Sequence, residues 1–459
     1  MKTTEPSTPH RSPLGRAYAE RLAGRAPTDD PAAAARQSVT LGQYGDRFLL
    51  GPAFLSEAER RTVTRDLRTV YDLLRSLPER AFDGDLAAMA GAVGMDPLQT
   101  ALITRGARAG SLVPLGRADL YHDGAGFRLL EFNVASALGG VENADINRAM
   151  LTYPPLKEFV DRHGLRYPDT LDCVVRTMYA ESAATIPTDR PPVVAVVDTA
   201  ENLAIVGDEV RAIAGMLTGY GVEAFVCHLG EFAYPQGRPT VAGRAVDVVL
   251  RYFLVEDLAD PAVGPLLEPL LAAVEREEVG LVSRLDAELY GNKGTLAMLS
   301  DDRRRHLFDA AELACLDRFL PWTRHVRPRG TDPDGAEVDL PGYARARQHE
   351  LILKPTLLHG GMGVVAGWQV DAAEWGARLD SALDGPFVLQ QRVHPAAEPF
   401  PDGAGGVREL YLNWGVYLAD RDVVDDGYAG CLVRGSTDPA AGVVNIGAGA
   451  MIGCTFHGG

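Results

Sequence analysis

The chain has 459 residues, 46% of them hydrophobic and 23% charged, which fills two or three globular domains and excludes a disordered polypeptide. A net charge of −17 argues against nucleic acid or an anionic membrane as a partner, and no run approaches the roughly 20 apolar residues that span a bilayer. Five scattered cysteines without a CxxC pair argue against a zinc site and fit reduced thiols in a cytoplasm; the start, MKTTEPSTPHRSPLGR, lacks the apolar core of a secretory signal.

Residues 1–35, rich in Pro, Thr, Ala and Arg, read as a loose leader. Helical spacing over 54–105 (Leu55, Val63, Leu67, Val70, Leu74, Leu77, then Leu86, Met89 and Val93) predicts three helices. They lead into RADLYHDGAGFRLLEFN, where two alternating runs, Leu115–Tyr121 and Phe127–Asn133, flank a glycine-containing break and predict a β-hairpin. Side chains alternate along a strand, so Arg117 shares a face with Asp119, and Glu131 with Asn133. A two-residue turn pairs 119 with 128 and sets the two polar faces against each other. A longer loop pairs 119 with 129 and 117 with 131 and gathers all four groups on one surface. Two carboxylates and a carboxamide oxygen there suit magnesium, and the guanidinium suits an anion. The same polarity also suits a solvated hairpin face carrying a surface ion pair.

Residues 143–185 read as helical, broken at Pro154-Pro155. From Pro191, buried-strand patterns at 193–198, 222–229, 246–253 and 279–285 alternate with helices at 203–218 and 265–278, which implies a small parallel sheet. No GxGxxG follows its first strand, so a dinucleotide site is unsupported. Then come Lys293 in GNKGTLAML, a strand Leu351–Lys354 running into the HGGMG loop, a helix over 371–383, and the strand PFVLQQRV with Gln390 and Gln391. Two further strand-like runs carry Arg408 and Arg434, and the glycines of 443–453 have too little chain after them for a Rossmann helix. Glycine loops are usually turns, but Gly360, Gly361 and Gly363 can present backbone N–H groups to phosphate oxygens. Of 45 basic residues only Lys2, Lys157, Lys293 and Lys354 are lysine, so a lysine in an ordered segment suggests a task arginine performs poorly, such as a compact ammonium at a phosphate. GxxxxGK[ST], HExxH, GxSxG and the protein-kinase motifs are all missing.

Asp119, Glu131 and Asn133 in the D-x11-E-x-N arrangement, Lys293, Lys354 in LILKP and the HGGMG loop together resemble the circularly permuted ATP-grasp enzymes of the glutathionylspermidine synthetase type. The likeness covers roughly 110–140 and 190–455. It implies an α/β (α+β) ATP-grasp fold, with a leader and helical region at 1–110, the metal-binding hairpin and following helices at 111–190, a Rossmann-like pre-ATP-grasp domain at 191–290 and nucleotide-binding subdomains at 291–459. In ordinary members the metal-binding strands come last, whereas here they precede the lysines, which fits a permutation.

Carried over residue by residue, the resemblance implies that Lys293 and Lys354 contact ATP phosphates beneath a lid of Gly360, Gly361 and Gly363. Gln390 or Gln391 meets adenine, and Asp119, Glu131 and Asn133 hold one or two Mg2+ ions. Arg117 stabilises the transferring phosphoryl group, with Arg408 and Arg434 as further helpers for phosphate or substrate carboxylate. QQR at the hinge departs from the acidic residue expected near ribose. The activity implied is cytoplasmic, biosynthetic carboxylate–amine ligation of small molecules, amino acids among them, through an acyl phosphate, with γ-glutamyl joining within the family's range; a homodimer is a further expectation. A phosphotransferase on the same scaffold and a non-catalytic nucleotide-binding protein are the alternatives.

Overall fold

The computed structural model describes residues 12–23, 30–107, 115–134, 138–260 and 262–458. It is a mixed α/β structure with several sheets. The largest has seven strands in the order Ala53–Ser56, Met451–Gly458, Tyr428–Ser436, Val407–Ala419, Leu115–His122 and Phe127–Asn133, with Ala397–Pro401 also paired to Val407–Ala419. Only the Ala53–Ser56 pairing is parallel. The hairpin near the front of the chain therefore completes a sheet whose other long strands come from its last third.

Alternation fixes which way that sheet faces. Ala118 and Leu120 are fully buried with Trp414 and Val416 against Val63, Leu67, Val70 and Leu74 of the helix Glu57–Phe82. Arg117 and Asp119, one residue out of phase, must then point to the opposite side. The covering helix starts at a capping box, in which the Ser56 hydroxyl accepts from the Glu59 N–H and the Glu59 carboxylate accepts from the Ser56 N–H. Leu55, expected in that helix, instead belongs to the short strand before it, opposite His457. Periodicity over a few residues does not distinguish a helix start from a buried strand whose partner lies 400 residues on.

Residues 193–282 carry a four-stranded parallel sheet in the order Gly280–Val282, Val248–Arg251, Val193–Asp198, Glu223–His228. Val194 and Val196 pack against the helix Ala200–Thr218, and Ala195 and Val197 against Gly264–Glu275, so both faces are covered. A second four-stranded sheet, antiparallel, runs Thr323–His325, Phe387–Gln391, Leu351–Pro355, Val365–Ala366.

Part of the expected leader is ordered. Pro13–Leu22 is a helix capped by the Ser12 hydroxyl, and its Tyr18 and Leu22 are buried with Phe54 and Phe159. Ala33–Gln37 is a second short helix. Residues 1–11 and 24–29 of that leader lie outside the described residues. Among the described residues no helix is long and apolar enough to cross a membrane.

Candidate functional site

The hairpin loop is the four residues Asp123–Gly126, with the Asp123 carboxylate accepting from the Ala125 and Gly126 N–H groups at 2.9 Å. Neither pairing expected from the sequence occurs. From the loop inward His122 pairs with Phe127 and Leu120 with Leu129; then the register shifts, and Asp119 lies opposite Glu131 and Arg117 opposite Asn133. Leu130 is the extra residue of a β-bulge. Continuing the outer register would have set Leu130 opposite Asp119 and turned Glu131 to the far face; the bulge returns all four polar side chains to one surface. It also frees the Leu130 carbonyl, which accepts from Lys354 Nζ at 3.4 Å and from Gln390 Nε2 at 3.2 Å.

Two lysines reach this surface from different elements. Lys354 stands on the strand Leu351–Pro355, and its Nζ donates to Gln390 Oε1 at 2.7 Å. Lys293 opens the helix Lys293–Ser300, capped by Asn292, whose Oδ1 accepts from the Gly294 N–H. Its Nζ donates to the Leu358 carbonyl at 2.9 Å and lies 3.5 Å from Glu131 Oε2. Burial alone would raise the Glu131 pKa, but Lys293, Lys354 and Arg117 overcome it and hold the carboxyl well below the usual range. Burial pulls Lys354 down to about 8, against the attraction of Glu131.

Asp119 is engaged on both oxygens. Arg117 Nε donates to one at 2.9 Å, and Arg434 Nη2 lies 2.8 Å from the other. Arg434 also donates to Asn413 Oδ1 at 3.2 Å, and Arg117 to the Gly139 carbonyl at 2.7 Å. Gly415 opposite Asp119 has a steric reason: a Cβ there would stand 3.1 Å from Arg117 Cδ.

The resulting cleft has a volume of about 230 Å³. Arg117, Asp119, Glu131, Asn133 and Arg434 line one wall, Lys293, Lys354, Gln390 and Gln391 the other, with Gly360 and Gly361 at its edge. Gly363 and Arg408 lie outside it. Gly363 faces Pro355, where a Cβ would stand 3.2 Å from Cγ. Arg408 lies where the strand Val407–Ala419 is bordered by Ala397–Pro401 rather than by the hairpin; it pairs with Phe400 and reaches Met451. Gln390 is committed to bracing Lys354, the Leu130 carbonyl and Thr323, so its side chain is taken before any adenine arrives. Gln391, the next residue, is exposed and also lines the cleft.

Some lining groups were not singled out from the sequence. The Arg392 guanidinium stacks 3.9 Å over the Trp368 ring at the Gln391 end of the cleft, Asn413 holds Arg434, and His359 precedes the glycine loop. His359 is the first residue of the HGGMG motif already recognised. Trp368 and Asn413 have no local signature, because only the sheet registers bring them here.

As a donor set, Asp119, Glu131 and Asn133 offer hard oxygens on neighbouring rungs of one ribbon, which fits magnesium. Glu131 faces Lys293 directly, Asn133 stands beside it with Nδ2 3.4 Å from Glu131 Oε1, and Asp119 would serve through lone pairs not used by its two arginines.

The fold has solved counterparts. A glutathione synthetase-like effector from Globodera pallida, in its apo form, superposes with a TM-score of 0.53 over 89% of each chain at 11% identity. A provisionally named gamma-glutamylcysteine synthetase from Methylobacillus flagellatus KT gives 0.43 over 88% of this chain and 89% of its own, at 13% identity. The first likeness shows a shared architecture. No protein-family model and no curated protein matches the sequence.

Proposed function

We propose that this protein is an ATP-dependent carboxylate–amine ligase of the circularly permuted ATP-grasp type, joining small molecules, amino acids in particular, through an acyl phosphate. The observation that carries this reading is the meeting of Glu131 with Lys293, 3.5 Å away, in a cleft that Lys354 also lines. The name of the Globodera pallida neighbour, glutathione synthetase-like, points the same way.

A carboxylate is a poor electrophile because oxide is a poor leaving group; transfer of the γ-phosphoryl group converts it into an acyl phosphate that an amine can attack. Phosphoryl transfer needs positioning and charge compensation more than covalent chemistry from the protein. Lys293 and Lys354 would hold the phosphates, Glu131 and Asn133 would hold magnesium with Asp119 behind them, and Arg117 and Arg434 would steady the anion in transfer. Magnesium, when bound, offsets the charge of the triphosphate. The loop bearing Gly360, Gly361 and Gly363 would keep water from the acyl phosphate, with each glycine at positive φ (64°, 84° and 69°).

The test is phosphate release from MgATP with arrays of amino-acid pairs, hydroxylamine serving as a trap. Amine-dependent ADP release with hydroxamate formation, lost in Lys293→Met, supports the ligase. A phosphorylated product without amine dependence would mean a phosphotransferase, and nucleotide binding without turnover on any mixture would mean a non-catalytic protein.

A further inference from the structure

Beside the hairpin and its lysines, Glu256, Glu288 and His359 each bring a ligand atom within 4.8 Å of the others. Glu256 begins the 3-10 turn Glu256–Ala259 after the strand Val248–Arg251, Glu288 lies in the helix Ala287–Gly291, and His359 immediately precedes Gly360. Two carboxylates on elements around the parallel sheet thus meet an imidazole on the glycine loop.

Each carboxylate is aimed by a donor on one oxygen. The Leu358 N–H donates to Glu256 Oε1 at 3.0 Å, and Arg251 Nη1 donates to Glu288 Oε1 at 2.7 Å. Arg251 is fully buried and also donates to the carbonyls of Phe253, Ser283 and Arg284, so Glu288 is rigidly held. One oxygen is not satisfied: Glu256 Oε2 is buried without a hydrogen-bond partner, while Glu256 Oε1 lies 3.3 Å from His359 Nε2 and pairs with it. Buried polar atoms left in this state call for an occupant. A divalent ion bonded at about 2.0–2.2 Å to imidazole nitrogen and carboxylate oxygen holds its ligand atoms no more than about 4.4 Å apart, a limit that the 3.3 Å between His359 Nε2 and Glu256 Oε1 satisfies. Donors that orient carboxylates from behind are what metal ligands require. One of the two negative charges is balanced by Arg251, and the nearby Lys293 ammonium is directed at the Leu358 carbonyl.

We infer that Glu256, Glu288 and His359 form a second divalent-metal site, separate from the hairpin oxygens and independent of the ligase reading. Its imidazole favours iron or zinc over magnesium, and its two carboxylates also admit manganese. The ion fastens the glycine loop to the parallel-sheet side of the cleft.

The test uses the full chain freed of metal by a chelator, titrated with Mn2+ and with Zn2+ in the absence of nucleotide, together with hydrogen exchange over residues 357–363. One equivalent of ion is expected to bind and to slow exchange in the loop. Glu256→Gln and His359→Gln should each weaken binding at least tenfold, while Arg408→Met, outside the cleft, keeps the equivalent. Circular dichroism checks that the variants fold, and either variant alone suffices. Binding unchanged in a folded variant, or no stoichiometric ion in the parent chain, would overturn the site and leave Glu256 and His359 as an ordinary ion pair.

Discussion

Lys354 should make the free protein more stable as the pH rises while making it a poorer nucleotide binder. The residue is 7% exposed, and burial brings its pKa to about 8, opposed by Glu131 and reinforced by Lys293, against an ordinary 10.5. Between pH 8 and 10.5 the unfolded chain holds a proton that the folded chain releases, so folded stability climbs across that window; below pH 8 the cost of the buried ammonium is constant. The gap corresponds to about 3 kcal/mol in total and at most about 1.4 kcal/mol per pH unit. Lys354→Met keeps the length of the stem and removes the charge, but it strips Gln390 Oε1 of its 2.7 Å donor, which costs about 1–3 kcal/mol. The variant should therefore be as stable as the parent or up to about 2 kcal/mol more stable at pH 7.5, and less stable near pH 10. Urea unfolding of both chains at pH 7.5, 8.5 and 9.5 reads this directly, because Glu131, which Lys293 and Arg117 also hold low, is ionised throughout that range. MgATP affinity of the parent, followed by calorimetry, should fall above pH 8. Parallel stability profiles for the two chains would refute the reasoning.

Glu131→Gln and Lys293→Met should each lower ATP turnover by about two to three orders of magnitude, the scale of losing one electrostatic stabiliser, as measured by ADP release. Arg434→Met should have an effect of similar size, whereas Arg408→Met, outside the cleft, should change turnover less than about threefold; equal losses would contradict the placement of the two arginines. Acid should weaken the fold through two histidines. Burial, aided by Arg327 for His325 and by Arg60 for His457, lowers each pKa to about 4 from 6.5, so both are neutral when folded and stability is lost as pH falls from 6.5 through 4. Replacing both with Gln should flatten that decline in chemical unfolding experiments.

The local pieces of the site were legible because alternation exposes a two-faced hairpin and because lysine is scarce enough in this chain to stand out. What was hidden depends on distant pairing. The Leu130 bulge, which decides whether Glu131 faces the cleft, is met by Lys354 and Gln390 from more than 200 residues away, and nothing in LLEF specifies it. Arg408 and Arg434 look equivalent in sequence; the neighbour of each strand segment separates them, Ala397–Pro401 for one and Asn413 with Asp119 for the other. Gln390 reads as a base-facing hinge residue until the short distance to Lys354 shows it to be a brace. The helix Pro13–Leu22 was missed because its composition is that of a linker and its stability comes from Tyr18 and Leu22 docking on remote aromatic residues.

The antiparallel contact between Leu115–His122 and Val407–Ala419 has a consequence for biosynthesis in the cell. The hairpin leaves the ribosome roughly three hundred residues before its neighbour exists, a delay of about 15–60 s at usual elongation rates. Through that interval one edge of the ribbon stands open to other nascent chains. Chaperone supply and translation speed, more than the stability of the finished molecule, should govern how much folded protein a host yields.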